Sequence, residues 1–361
     1  YPRWAGLDDE AIHLSTQVGM AELLLSGCTT TTDHHYVFPK RALQGIAVQV
    51  EAAAEVGMRF HPTRGSMSLG ASSGGLPPDE VVQDEDEILA DCERLIARYH
   101  DPAPGAMVRV GLAPCSPFSV TRSLMARSAE LARRHGVRLH THLAETRDEE
   151  AFCLEVYGMR PSQLLEEVGW LHDGVWLAHG IHFDDGEVAR LGAAGVALAH
   201  CPSSNARLGS GLFPLRALRR AGAPVGLGVD GSASNDASNL LLELRQAVFL
   251  QRVVHGPEAL GVAEALELAT AGGAACLGRD DLGALAPGKA ADFALFDLNA
   301  LNYAGAHDPL GALVLCAPSR AHTVVVGGRV VVRGGTLQTV DEAALVRRHR
   351  AKARALMARA R

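Results

Sequence analysis

Residues 138–145 read RLHTHLAE. The segment begins as an apolar strand, after the lead-in HGVRL, and ends in residues that bind metals or carry protons. A strand sends alternate side chains to opposite faces, so His140 and His142 point the same way. Taken alone, the pair reads either as a polar patch in a core or as the end of a strand that holds something. Buried histidine pairs are uncommon but not rare, so the rest of the chain has to decide.

The same texture recurs. CTTTTDH (28–34), RFHPTRG (59–65), RVGLAP (109–114), VWLAHG (175–180), VALAHCP (196–202) and VGLGVDG (225–231) are apolar runs that close on polar residues. Helical patterns lie at 9–25, 41–56, 85–99 and 124–135. Strands alternating with helices of this length indicate a parallel sheet. Near-continuous apolar strands suit a sheet covered on both faces. An open doubly wound sheet would show the same alternation. Polar residues at the C-terminal end of nearly every strand favour a closed (β/α)8 TIM-type barrel, where those ends converge on one mouth. Seven such strands are present and a barrel needs eight. The expectation is that the first strand lies upstream of Tyr1 and is missing from this chain.

After about Arg279 the texture changes. LGALAPGKAADFALFDL and HTVVVGGRVVVRGGTL read as short strands with glycine turns, with a short helix near Pro309. The expected organisation is a hydrolase barrel over 1–278, part of a small β-sandwich domain over 279–341, and a C-terminal helix over 342–361. The basic charges of that helix read as a solvated face.

Composition narrows the function class. The 361 residues carry a net charge of −7, which leaves no basic footprint for nucleic acid. No apolar run approaches a membrane span, and no charged, apolar leader is seen. Cys28, Cys92, Cys115, Cys153, Cys201, Cys276 and Cys316 are scattered and never form CxxC. That argues against a disulfide framework or a structural zinc site and fits a reducing cytoplasm. The expected partner is a small molecule, with neither nucleic acid nor membrane. Homo-oligomers are common among such proteins and are expected here.

Four acid, base or ligand candidates sit on the late strands: His142, Glu145, His179 and Asp230. Each has a bland reading. A lone His is usually a satisfied core residue, Asp in GVDG makes a turn, and Glu145 complements a helix N-terminus. All four at the strand ends of one barrel are harder to explain that way. His, His and Asp suit a divalent metal such as zinc with one open position. Bound zinc makes water a nucleophile near neutral pH, and a neighbouring carboxylate moves the protons.

These residues resemble the amidohydrolase superfamily, in its branch of purine, pterin and s-triazine deaminases, over essentially the whole chain. HLAE (142–145) is similar to the branch's HxxE motif, His179 in LAHGIHF to its next histidine, and Asp230 in GVDGSASND to its late aspartate. HCPSSNARLGSG and APGKAADFALFD resemble further segments of it. CTTTTDHHYVFP, RGSMSLG, GGLPPDEVVQDED and APCSPFSVT are similar to bacterial 8-oxoguanine deaminases within the branch. The resemblance implies one divalent ion, zinc or alternatively iron, held by His142 and Asp230. Asp230 would also take a proton from the attacking water and later help ammonia leave. Glu145 would protonate the adjacent ring nitrogen, and His179 would orient the water and the tetrahedral intermediate. The implied reaction converts 8-oxoguanine to urate. Arg64 would bind an exocyclic oxygen through its planar fork, or else form a structural ion pair. Cys115 would line the ring pocket, or else only pack. His140 lies one layer deeper as support. The alternatives are an s-triazine, guanine or pterin deaminase, and, from another class, an inactive truncated barrel that only binds a ligand.

The family also carries an HxH pair at the end of its first strand, as two more metal ligands. No such pair precedes His140. His13 falls on an expected helix. His34 and His35 are adjacent, so their side chains face opposite ways. A segment outside this sequence, a gene fragment and a naturally truncated protein each account for this. The first is expected, because a barrel short of one strand leaves two unpaired edges. The chain by itself is therefore expected to fold poorly or to lose metal affinity.

Overall fold

All seven expected strands form, and they lie side by side in sequence order. In this computed structural model, which describes residues 3–42, 44–316 and 320–359, they are β1 (Thr30–His35), β2 (Arg59–Ser66), β3 (Gly111–Pro114), β4 (Leu139–Leu143), β5 (Val175–His179), β6 (Ala197–His200) and β7 (Val225–Leu227). Each pairs in parallel with the next. The register of β4 on β5 sets Leu143 opposite His179 and His142 opposite Ala178. That brings the polar ends of the two strands level.

Helices join the strands. They are α1 (Asp9–Leu25) before β1, α2 (Gly45–Val56), α3 (Glu85–Tyr99), α4 (Arg122–His135), α5 (Arg147–Tyr157), α6 (Pro161–Glu167), α7 (Asp185–Ala193), α8 (Pro202–Leu208) and α9 (Leu215–Arg220). After β7 come α10 (Leu240–His255), α11 (Val262–Glu267) and α12 (Gly273–Cys276). Local chemistry sets their ends. Asp8, Asp84 and Thr121 cap α1, α3 and α4 by accepting N–H groups of the first turn. Gly57, at φ 80°, ends α2 in the left-handed conformation that glycine reaches without a Cβ clash. The expected helix from residue 41 starts later, at Gly45. The chain first turns after Pro39, whose carbonyl accepts the Ala42 N–H at 2.8 Å; residue 43 lies outside the described residues.

The strands' alternate residues build the core between sheet and helices. Leu112, Leu139, Leu177 and Val196 pack with Leu124, Leu131 and Trp170, all fully buried. Each such aliphatic side chain contributes about 1.5–3 kcal/mol on burial. Inside the curl, Trp176 stacks on His140 with ring centroids 4.7 Å apart.

The sheet does not close. Among the described residues β7 and β1 are not paired. A cavity of about 690 Å³ opens between them, bordered by residues 29–34 on one side and 226–231 on the other. The seven parallel strands thus form a curled barrel sheet with one open seam.

The C-terminal part adds a four-stranded antiparallel sheet in the order β11 (Thr336–Leu337), β10 (Arg329–Arg333), β9 (Thr323–Val326), β8 (Phe293–Leu295). The two-residue Gly327–Gly328 link takes φ 56° and 80°, as a tight hairpin turn requires. Val324, Val326, Val331 and Val332 share one buried cluster with Leu14 and Leu24 of α1 and Ile46 and Val56 of α2. The short helix α13 (Pro309–Leu315) follows β8, and α14 (Glu342–Arg359) lies along α1, where Lys352 Nζ meets Asp8 at 2.8 Å. No helix among the described residues is long and apolar enough to cross a membrane.

Candidate active site

Three non-glycine residues among those described have positive φ: Ala144 at 51°, His179 at 71° and Asp230 at 62°. They end β4 and β5 and follow β7. A side chain in the left-handed region costs on the order of 1–3 kcal/mol and persists only where its surroundings hold it. Here they do. The Ala144 carbonyl accepts the N–H groups of Ile181 and His182 at 2.8 and 2.9 Å, and the Leu143 carbonyl accepts that of Gly180 at 3.0 Å. After β7, Asn235 Nδ2 donates to the Val229 carbonyl at 2.8 Å.

These turns aim four side chains at one point. His179 Nε2 lies 3.7 Å from Glu145 Oε2 and 3.8 Å from Asp230 Oδ2. Donor atoms of His142, His179 and Asp230 all lie within 4.8 Å of one another. His142 Nδ1 is 2.8 Å from the Cys115 carbonyl. A carbonyl only accepts, so Nδ1 carries the proton and the Nε2 lone pair is free. His179 Nδ1 is likewise 3.0 Å from Asn205 Oδ1, which leaves its Nε2 lone pair facing the carboxylates. Fixing a ligand imidazole through its other nitrogen is how metal sites set tautomer and ring angle.

Electrostatics agree with a ligand site. Burial first, then His179, lowers the pKa of His142, so it is neutral as a ligand must be. For Asp230, burial pulls upward, but His179, His142 and the Ser204 and Gly231 donors outweigh it and hold the carboxyl below its ordinary value. Ser204 Oγ donates to Asp230 Oδ2 at 2.6 Å, Ser234 Oγ to the same atom at 3.0 Å, and Gly231 N–H to Oδ1 at 2.6 Å. The donor set fits a divalent ion: two imidazoles, each hydrogen-bonded through Nδ1, and one carboxylate. Sequence analysis gave His179 an orienting role; its geometry also admits it as a third ligand.

The remaining candidates are placed as follows. His140 stands one layer below, with Nδ1 donating to the Trp176 carbonyl at 2.9 Å; burial pushes its pKa down to about 3. His34 turns inward, stacks on His142 at 4.4 Å and meets the Ala113 carbonyl through Nε2. His35 turns the other way, against Phe38. Cys115 Sγ lies 3.9 Å from His142 Nδ1 and borders a separate pocket of about 100 Å³ with Trp4, Tyr36 and Phe118. Burial pushes its thiol up to about 12, which removes it as a nucleophile. Arg64 does not reach the cluster. The alternation of β2 turns it toward α3, where it is buried, pairs with Asp91 at 2.8 Å, bonds Gln83 at 3.0 Å and lies over Phe38 at 3.8 Å. Its guanidinium is committed to holding α3 on the sheet.

Sequence reasoning missed Ser204, Asn205, Ser234 and Glu149. The first two lie within the quoted HCPSSNARLGSG, where the polar run after a strand was a usable signal. Ser234 falls in GVDGSASND. Nothing in the sequence shows which atom each side chain meets.

Comparison with known proteins follows the same lines. The amidohydrolase family model matches residues 1–331. The chain is 59% identical to an 8-oxoguanine deaminase of Pseudomonas aeruginosa over 99% of its length and 80% of the relative's. It is 42% identical to a hydroxydechloroatrazine ethylaminohydrolase of Pseudomonas sp., covering 96% of this chain and 73% of that one. Among solved structures, an atrazine chlorohydrolase of Arthrobacter aurescens complexed with zinc superposes with a TM-score of 0.92 at 40% identity, covering 97% of this chain and 77% of that one.

Proposed function

Because the chain belongs to the amidohydrolase family, we propose that it deaminates 8-oxoguanine with water, giving urate and ammonia. The observation that carries the reading is the placement of two carboxylates, Glu145 and Asp230, near His179 Nε2 at 3.7 and 3.8 Å. Hydrolysis of an amidine carbon needs one group to take a proton from water and another to give one to the ring. The substrate choice rests on 59% identity to the 8-oxoguanine deaminase, against 42% to the triazine enzyme and 38% to an isoxanthopterin deaminase.

Asp230 accepts a proton from the attacking water as its oxygen bonds to the amino-bearing ring carbon. Glu145 donates a proton to the neighbouring ring nitrogen. His179 orients the water and the oxygen of the tetrahedral intermediate through Nε2. Asp230 then passes its proton to the amino nitrogen, the C–N bond breaks, and ammonia leaves. The hydroxyl proton of the collapsing intermediate returns to Glu145. His142 and Asp230, with His179 close by, would hold a divalent ion, which would supply the acidity that makes water nucleophilic at neutral pH. All seven cysteines are free, which supports a reducing, cytoplasmic setting.

The test is ammonia release by the full-length protein with 8-oxoguanine, guanine, isoxanthopterin and an amino-s-triazine, alongside elemental analysis for zinc and iron. The expected result is the highest kcat/KM for 8-oxoguanine, with about one metal per chain. A triazine or pterin turned over tenfold better would replace the substrate assignment. Loss of all turnover with metal bound would favour the binding shell.

A further inference from the structure

The turn that presents Glu145 is held from beneath. We propose that Glu149 is a positioning residue whose carboxyl clamps the Ala144–Glu145 turn and so sets the Glu145 carboxyl beside His179. The inference rests on the proton-donor role given to Glu145 above.

The sequence Thr146-Arg147-Asp148-Glu149 has the spacing of a capping box, in which the fourth residue bonds back to the N–H of the first. The N-terminus of α7 does this. Asp184 Oδ1 accepts the Glu187 N–H at 2.8 Å, and Glu187 Oε2 accepts the Asp184 N–H at 2.9 Å. At α5 half of the pattern is kept, since Thr146 Oγ1 accepts the Glu149 N–H at 3.3 Å. The other half is redirected. Glu149 reaches past Thr146, and its Oε1 accepts the Ala144 N–H at 2.6 Å while Oε2 lies 3.5 Å from the Glu145 nitrogen. Ala144 is the residue at φ 51°. Its carbonyl is tied to Ile181 and His182 beyond β5, so both backbone polar groups of this one residue are fixed, the N–H by Glu149.

Glu149 is 1% exposed and both of its carboxyl oxygens face the Ala144 and Glu145 N–H groups, so it is not free to act as a ligand or as a proton donor to substrate. Burial, with Glu145 adding to it, pushes its carboxyl up to about 8, and glutamine keeps the length and the one oxygen that accepts the short Ala144 N–H bond. Aspartate keeps a carboxyl at the helix start but is one methylene too short to reach Ala144.

The experiment compares E149Q, E149D and E145Q in the full-length protein, reading kcat and KM for 8-oxoguanine, the pH profile of kcat, and amide hydrogen exchange at residues 144 and 145. Misplacing a reacting group by about 1 Å costs about 100-fold. E149D is therefore expected to lose roughly 10- to 100-fold in kcat with KM within about threefold, and to shift the kcat profile. Exchange at Ala144 should quicken. E149Q should keep kcat within about threefold and keep Ala144 protected. Full kcat in E149D, or equal loss in E149Q and E149D, overturns the proposal. Full activity in E145Q overturns the role of Glu145 itself and is read separately.

Discussion

At the ends of β4 and β5 and just after β7 the backbone turns left-handed at Ala144, His179 and Asp230; at the ends of β1, β2 and β3 it does not. The late strands hold their clustered polar groups through second residues: Asn205 for His179, Ser204 and Ser234 for Asp230, Glu149 for the Glu145 turn. The early strands carry residues of equal chemical promise, yet these are spent on packing. Arg64 anchors α3 and Cys115 is a neutral thiol beside His142. Residue type does not separate the two halves. Backbone strain with a supporting hydrogen bond does, because a costly conformation persists where the surroundings over-determine it.

Removing the centre of the late half is the severest test. Asp230→Asn leaves the shape but neither accepts the proton nor holds charge, so kcat/KM for 8-oxoguanine should fall about 10⁴-fold and metal content should drop. A loss under tenfold would erase the contrast. On the early half, Arg64→Met should cost about 3 kcal/mol of stability, since it leaves Asp91 facing a buried site, discounted because Asp91 is a quarter exposed. Its kcat/KM per folded molecule should stay within about twofold, and a tenfold fall at unchanged stability would return Arg64 to substrate binding. Asn205→Leu frees the His179 ring and should lower activity or metal affinity by about 10- to 100-fold; unchanged values would mean the tautomer is set elsewhere.

The last expected effect is on stability against pH. Burial raises Glu149 from an ordinary 4.5 to about 8. Between those values the unfolded chain has released a proton that the folded chain keeps. Stability from this group therefore falls as pH rises through the window, by at most about 1.4 kcal/mol per pH unit. It does not change below 4.5 or above 8. Denaturant midpoints of E149Q should lack that slope. Parallel wild-type and E149Q curves between pH 5 and 8 would mean Glu149 is ionised in the folded protein.

Much of this was readable in advance because it depends on local periodicity. The seven apolar runs became seven strands, the glycine pair at 327–328 became a hairpin turn, and α3 spans Glu85–Tyr99 as its pattern predicts. The start of α2 was misjudged, since the turn after Pro39 interrupts a pattern that otherwise looks helical. Arg64 had two readings open in the sequence, and its pair with Asp91 fits the structural one; position on a strand does not reveal which layer claims a long side chain.

By itself the sequence determined the parallel α/β architecture and the small C-terminal sheet, and it singled out His142, Glu145, His179 and Asp230 as candidates. These follow from repeat spacing and from side-chain chemistry, both written in one dimension. Only the tertiary structure decided which nitrogen of each histidine is free, that Arg64 belongs to α3, and that Glu149 abandons the ordinary helix cap for Ala144. Those facts depend on which atoms from distant segments come within about 3 Å, the range over which a hydrogen bond is made or lost.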